Sequence, residues 1–310
     1  MTNINIINRP APVQLPQGFG KTAPTIASSA MLADVSISVW TGRKKDKRAS
    51  EEVAAANRAK RGVARVTKDL LGDCEELSAV QKFAEQARSY HRFLTLPWSD
   101  IGPRLLPTAQ FFGYQKHMTM LQDEFGRLVD KFLDAYSWEI SNAQVQLGDL
   151  FNMDEYPSVD AIRDKFGFRM NFIPLPEAGD WRVDIEAETK AALVKEYKTY
   201  FDTQLSAAMG DLWGRLRDTL TMLTKQLEPV AEGEKARRIY DSVVDRAHEL
   251  IAMMETCNVT NDPDMVAMQR RLKAVLDGAS ADAFRSDDIY KAETKRKLDE
   301  AIAALPGLGW

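Results

Sequence analysis

The chain has 310 residues, 28% of them charged, but only two cysteines and three histidines. That length buries a sizeable core without a disulfide or metal staple. The scarcity of cysteine and histidine excludes zinc fingers, thiol redox motifs and multi-histidine metal centres.

Cys74 and Cys257 lie far apart, and neither belongs to a C-x-x-C pair. Two buried free thiols in a reducing cytoplasm are the expectation. The N-terminus lacks the basic, apolar and small-residue succession of a secretory signal. No run reaches the roughly 18 apolar residues that span a bilayer, so no membrane association is expected.

Residues 1–29 hold Pro10, Pro12, Pro16 and Pro24 and no acidic residue, which predicts an extended or disordered arm. In Asp34–Trp40, Val35, Ile37 and Val39 alternate with polar residues, the mark of a half-buried strand. Residues 42–68 carry ten basic and three acidic side chains. The formal charge of −4 is therefore a +7 segment set against a −11 remainder. Alanine-rich spacing over 49–60 favours a helix there. Residues 74–94 place Leu77, Val80, Phe83, Ala84, Ala87 and Tyr90 on one helical stripe.

Pro97, Gly102, Pro103 and Pro107 punctuate the next stretch. Beyond it, Phe111, Met118, Phe125 and Phe132 recur every seven residues, with Tyr114, Leu121, Leu128 and Ala135 at the complementary position. This predicts a long helix over about 108–148, its aromatic stripe a core seam rather than a binding groove. Residues 151–185 break the pattern. A short helix starts at Ser158 and ends near Phe166, and Phe168–Ile173 and Trp181–Asp184 read as two short strands or a hairpin. Leu205, Met209, Leu212, Leu216, Leu220, Leu223 and Leu227 form the seam of a second long helix, about 186–228, closed by Pro229 and Gly233. Helices near 234–257, 263–276 and 288–304 complete the chain.

The fold class expected is mainly α: an elongated, coiled-coil-like antiparallel hairpin of long helices with a small mixed α/β cap and supporting helices. Its parts are the arm 1–29, a basic strand and helix segment 30–107, the hairpin 108–229 with its cap at 151–185, and the C-terminal helices 230–310.

Gly18-Phe-Gly-Lys-Thr22 resembles the end of a phosphate loop, but the required first glycine is Leu15 and no apolar strand precedes it. His91, His117 and His248 sit on separate predicted helices without acidic neighbours at ligand spacing. The acidic groups Asp149, Asp154 and Glu155, and Asp262 and Asp264, lack the spacing of a calcium loop. No catalytic, cofactor-binding or metal-ligating residues are assigned, and an enzyme is not expected.

The basic segment is the sharpest local feature. Arg43, Lys44, Lys45, Lys47, Arg48, Arg58, Lys60, Arg61 and Arg65 are candidate contacts to a partner or to nucleic acid. Their charge fits phosphates, with Trp40 and Phe19 available for base stacking. It equally fits a solvated helix or an acidic protein surface, including another copy of this chain. Trp40, Trp98, Arg104 and Trp181 are candidates for an interaction surface, although for the Pro97–Pro107 segment and Trp181 the favoured reading is structural, turns that lock helix entry angles.

The segments Ile37–Lys45, Leu96–Pro107, Leu147–Phe151, Tyr156–Ser158 and Pro176–Asp184 occur in that order. As a set they resemble a family of tailed-phage and prophage proteins known only as a domain of unknown function. The likeness spans about residues 33–305. Members are often encoded beside a MoxR-type AAA+ ATPase and a von Willebrand factor A-type protein. The resemblance implies a non-enzymatic phage accessory protein in the host cytoplasm, acting through protein–protein contacts. Its role there is that of an adaptor or regulator of the ATPase system, or of an assembling structural component. It carries no active-site residues to transfer. Nucleic-acid binding through residues 42–68 is the alternative. Long exposed seams also predict homo-oligomers.

Overall fold

A computed structural model describes residues 29–99, 101–175, 187–229 and 238–306, with the side chains of 187–191 outside the description. The arm over residues 1–28, Trp181–Asp184 and residues 230–237 therefore lie outside the described residues. The protein is mainly helical, with small antiparallel β pairings. No helix among the described residues is long and apolar enough to cross a membrane.

In chain order the strands are β1 (Ala30–Ser38), β2 (Arg43–Asp46), β3 (Val66–Asp69), β4 (Arg104–Pro107) and β5 (Gly167–Pro174). The helices are α1 (Lys47–Ala56), α2 (Glu75–Leu94), α3 (Phe111–Leu147), α4 (Val159–Arg163), α5 (Ala187–Gln226), α6 (Asp241–Cys257), α7 (Pro263–Val275), α8 (Ala281–Ser286) and α9 (Asp288–Ala303). Several helix starts follow from local chemistry. Asp46, Ser158, Asp262, Ser280 and Asp287 each accept a backbone N–H from the first turn of the helix they cap, and Pro263 takes the first position of α7.

Two compact units divide the chain, each from non-contiguous stretches. One comprises the residues through Asp34, Phe93–Tyr114 and Asn171 onward; the other comprises Val35–Arg92 and Gln115–Met170. In the first, α5 packs on α6 and α9, and α7 packs on α6 and α9. The predicted α5 seam is buried along its length: Leu212, Leu216, Leu220, Leu223 and Leu227 are all 1% exposed or less. They share one apolar core with Leu250 and Met254 of α6, Leu272 of α7, Phe284 of α8 and Leu298 of α9.

The second unit contains most of α3. Met118, Phe125 and Phe132 are buried as expected, but Leu121, Leu128 and Ala135 are only half-buried. Val129, Leu133 and Tyr136 take their place in the core. A helix of 3.6 residues per turn drifts away from a strict heptad, and the buried stripe follows that drift. The buried stripe of α3 thus follows the α-helical period more closely than a strict heptad.

The strands differ from expectation in their bounds, their partner or their presence. β1 starts at Ala30, earlier than its alternating part, because Ala30, Leu32 and Ala33 are buried and Leu32 faces Leu105 across the pairing with β4. The partner expected for β5, Trp181–Asp184, lies outside the described residues. β5 joins a three-stranded sheet in the order β4-β1-β5. The basic segment contains a two-stranded antiparallel sheet, β2 with β3, and α1 occupies the connection between them.

Candidate functional site

The basic residues are presented by β2, α1 and β3. Gly42 begins the excursion at φ +68, a conformation that favours glycine, and a Cβ there would also press on Leu77 Cδ2 at 2.9 Å. Register pairs Lys44 with Lys68 and Arg43 with Asp69. Alternation along a strand then separates two faces. Lys44, Asp46 and Lys68 share one, and Arg43 and Lys45 lie on the other.

The first of these faces is a charged staple. Lys68 Nζ, its side chain 5% exposed, lies 2.6 Å from Glu155 Oε2 and 3.3 Å from Asp46 Oδ2. It also donates to the Leu150 carbonyl at 2.6 Å. Lys44 approaches the other Glu155 oxygen at 3.7 Å. Burial opposes the charge on Lys68, but the carboxylates of Glu155 and Asp46 outweigh it and hold the ammonium pKa above its usual value. The Ala49 N–H, followed by Lys68, holds Asp46 below the usual carboxylate range.

The remaining cations fall into two groups. Arg43, Arg48 and Arg61 are exposed but engage Asp69, Glu52 and Glu51. Lys45, Lys47, Arg58, Lys60 and Arg65 are exposed, with no carboxylate of the described residues within ion-pair distance. Val53 and Val63 stand exposed among them, at 43% and 69%.

Arg58 occupies an unusual backbone position. The N–H of Ala59 reaches Ala54 O at 2.8 Å and that of Arg58 reaches Ala55 O at 3.0 Å, the hydrogen-bond pair that closes a helix with a left-handed residue. Arg58 is that residue, at φ +52, where glycine is favoured. Arg58→Gly is expected to raise stability by about 1 kcal/mol. Urea unfolding measures this, and a loss of stability contradicts the assignment.

The described candidates for an interaction surface are each engaged within their own unit. Trp98 is a core residue, 7% exposed and edge-on to Phe201 at 5.1 Å, which places it with the structural reading of this segment rather than the recognition one. Arg104 is half-buried and structural: it donates to Thr95 Oγ1 at 2.8 Å and Thr95 O at 3.0 Å. Trp40 is half-buried against Phe132 and Tyr136, so it offers no free stacking platform. Trp181 lies outside the described residues.

One arrangement went unrecognised in the sequence. Cys74 Sγ and single carboxylate oxygens of Glu76 and Glu139 lie within 4.8 Å of one another. Cys74 precedes α2, Glu76 is in its first turn and Glu139 projects from α3. Their distance along the chain hid the group. Burial, then the Glu139 and Glu76 carboxylates, push the Cys74 thiol pKa up, although the Leu77 N–H favours its thiolate. Burial, then Glu76, push Glu139 up. The other cysteine, Cys257, is buried and free.

Comparison with protein-family models, curated proteins and solved structures finds no match to this chain.

Proposed function

We propose that this protein is a non-enzymatic binding module whose β2–α1–β3 segment docks onto an acidic protein surface. The carrying observation is the set of five exposed cations outside ion-pair distance of any described carboxylate, Lys45, Lys47, Arg58, Lys60 and Arg65, interspersed with exposed Val53 and Val63. Charge of this kind steers an acidic partner, and apolar side chains among it give the contact a desolvated centre. Following the family resemblance, the partner class is a MoxR-type AAA+ ATPase, together with a von Willebrand factor A-type protein, in the cytoplasm of an infected cell. Self-association and an elongated antiparallel hairpin of the two long helices belong to the same proposal. Light scattering tests the first. Paired cysteines on α3 and α5, which cross-link only if the helices lie side by side, test the second.

Nucleic acid is the alternative partner, favoured by the same cations. Trp40, the nearest described aromatic in sequence, is engaged by Phe132 and Tyr136. Strong single-strand binding usually adds such a ring to the cationic groove. Changing the five unpaired cations to alanine is expected to weaken partner binding at least tenfold and flatten its salt dependence. Unchanged affinity in that variant defeats both readings.

A further inference from the structure

We propose that Cys74, Glu76 and Glu139 form a three-ligand site for a thiophilic divalent cation of the zinc class. Three donors of suitable chemistry converge from two separate elements, all within 4.8 Å of one another. A tetrahedral ion with a metal–sulfur bond of about 2.3 Å and metal–oxygen bonds of about 2.0–2.2 Å holds its donors about 3.4–3.6 Å apart, so these groups need a modest side-chain adjustment to close on it. Two of the three are core positions, Cys74 at 6% and Glu139 at 4% exposure.

Glu139 is the side chain that packing does not explain. It holds a carboxylate at a buried position, where Asn142 of its own helix is its hydrogen-bond partner. The charges that face it are the carboxylates of Glu76 and Glu75, both repulsive. The neighbouring cation, Lys131, reaches Glu76 at 3.4 Å. A buried carboxylate beside a second carboxylate and a thiol is costly until a cation neutralises them. Cys74 is also prepared as a ligand. Its sulfur accepts the Leu77 N–H at 3.5 Å at the start of α2, a donor that stays in place for the thiolate once a cation offsets the burial and the two carboxylates. Glu76, with its side chain 22% exposed, provides the solvent side of the site. A water there completes four ligands, the pattern of an open rather than a closed zinc site.

The test is Co2+ titration of the chelator-treated full-length protein, followed by displacement with Zn2+. The site predicts one Co2+ per chain and a near-ultraviolet sulfur-to-cobalt charge-transfer band. Cys74→Ser abolishes that band, Cys257→Ser leaves it intact, and Glu139→Gln weakens binding by at least about tenfold. Glu76→Gln, at a partly exposed position, tests the set again without disturbing the core and is expected to weaken binding too. Zn2+ also raises the midpoint of thermal unfolding in the wild type. Absence of the band, its persistence in Cys74→Ser, or wild-type affinity in Glu139→Gln overturns the proposal. In the last case Glu139 is a neutral, protonated core residue.

Discussion

Lys68→Met is expected to destabilise the protein by about 3 kcal/mol. The methionine keeps the apolar stem but leaves Asp46 and Glu155 facing each other without the ammonium that joins them. It also removes the donor to the Leu150 carbonyl. Those partners tie the small β2–β3 sheet to the 148–155 segment of the same unit, so the loss is cooperative rather than confined to one strand. The pH dependence has a definite sign. Asp46 has a lowered pKa in the folded protein. Its contribution is therefore complete above the unfolded-state value of about 3.9 and fades as pH falls through the folded value. Lys68 has a raised pKa. Its contribution is complete below the unfolded-state value of about 10.4 and is lost as pH rises through the folded value. The stability gap between wild type and Lys68→Met is thus constant near neutrality, and it narrows at both extremes. Urea denaturation across pH measures it. A gap unchanged down to pH values below the folded Asp46 pKa contradicts this role.

Phe132→Ala is expected to cost about 3–5 kcal/mol. Phe132 is 0% exposed and meets the rings of Trp40, Tyr136 and Phe166 at centroid distances of 6.2, 5.8 and 5.6 Å. Truncation opens a cavity bounded by three other aromatic side chains, one of them anchored by its hydroxyl on Pro157 O at 3.1 Å. Anchored neighbours collapse poorly into a void, which places the loss at the upper end for a core truncation. Trp138→Ala is the matched control. Trp138 lies on the same helix but is 66% exposed, so its removal should change stability by no more than about 0.5 kcal/mol. Equal losses from the two variants contradict the assignment of the buried face.

The long helices were legible because burial repeats along them and local signals mark their ends. Glu75–Leu94 and Phe111–Leu147 begin and stop within a few residues of the sequence expectation. The face of α3 was legible only in part. Phe125 and Phe132 fit a heptad and an α-helical stripe equally, and only burial at Val129 and Leu133 separates the two. β2 and β3 were hidden by composition. Four-residue strands reading Arg-Lys-Lys-Asp and Val-Thr-Lys-Asp have almost no apolar alternation, and their stability comes from pairing and from the Lys68 ion pairs. β5 was visible as a strand, but its neighbour was not. Sheet order depends on β1, which is remote in the chain.

The candidate site was legible as charge and illegible as geometry. Composition located the basic segment. It did not separate Arg48 and Arg61, paired with nearby glutamates, from Lys47 and Lys60, which have no such partner. Lys68 read as one more surface cation and is instead the buried centre of the segment. The prolines around Trp98 fit a recognition turn as well as a packed one, and only the fold, with Trp98 in the core beside Phe201, separates the two. The Cys74, Glu76 and Glu139 group depends on the packing of α2 against α3, for which no spacing rule exists.

The most direct test of the docking account is a parallel binding titration of the full-length protein. One arm uses a MoxR-type AAA+ ATPase from the same source, and the other a DNA duplex. Each is run at about 50 mM and about 200 mM salt, the range over which phosphate contacts are strongly weakened. The account predicts saturable binding to the ATPase, reduced at least tenfold when Lys45, Lys47, Arg58, Lys60 and Arg65 are changed to alanine, and only weak binding to DNA. Binding to the ATPase that ignores those five changes contradicts it. So does tight, steeply salt-dependent DNA binding that they abolish, with no ATPase binding at all.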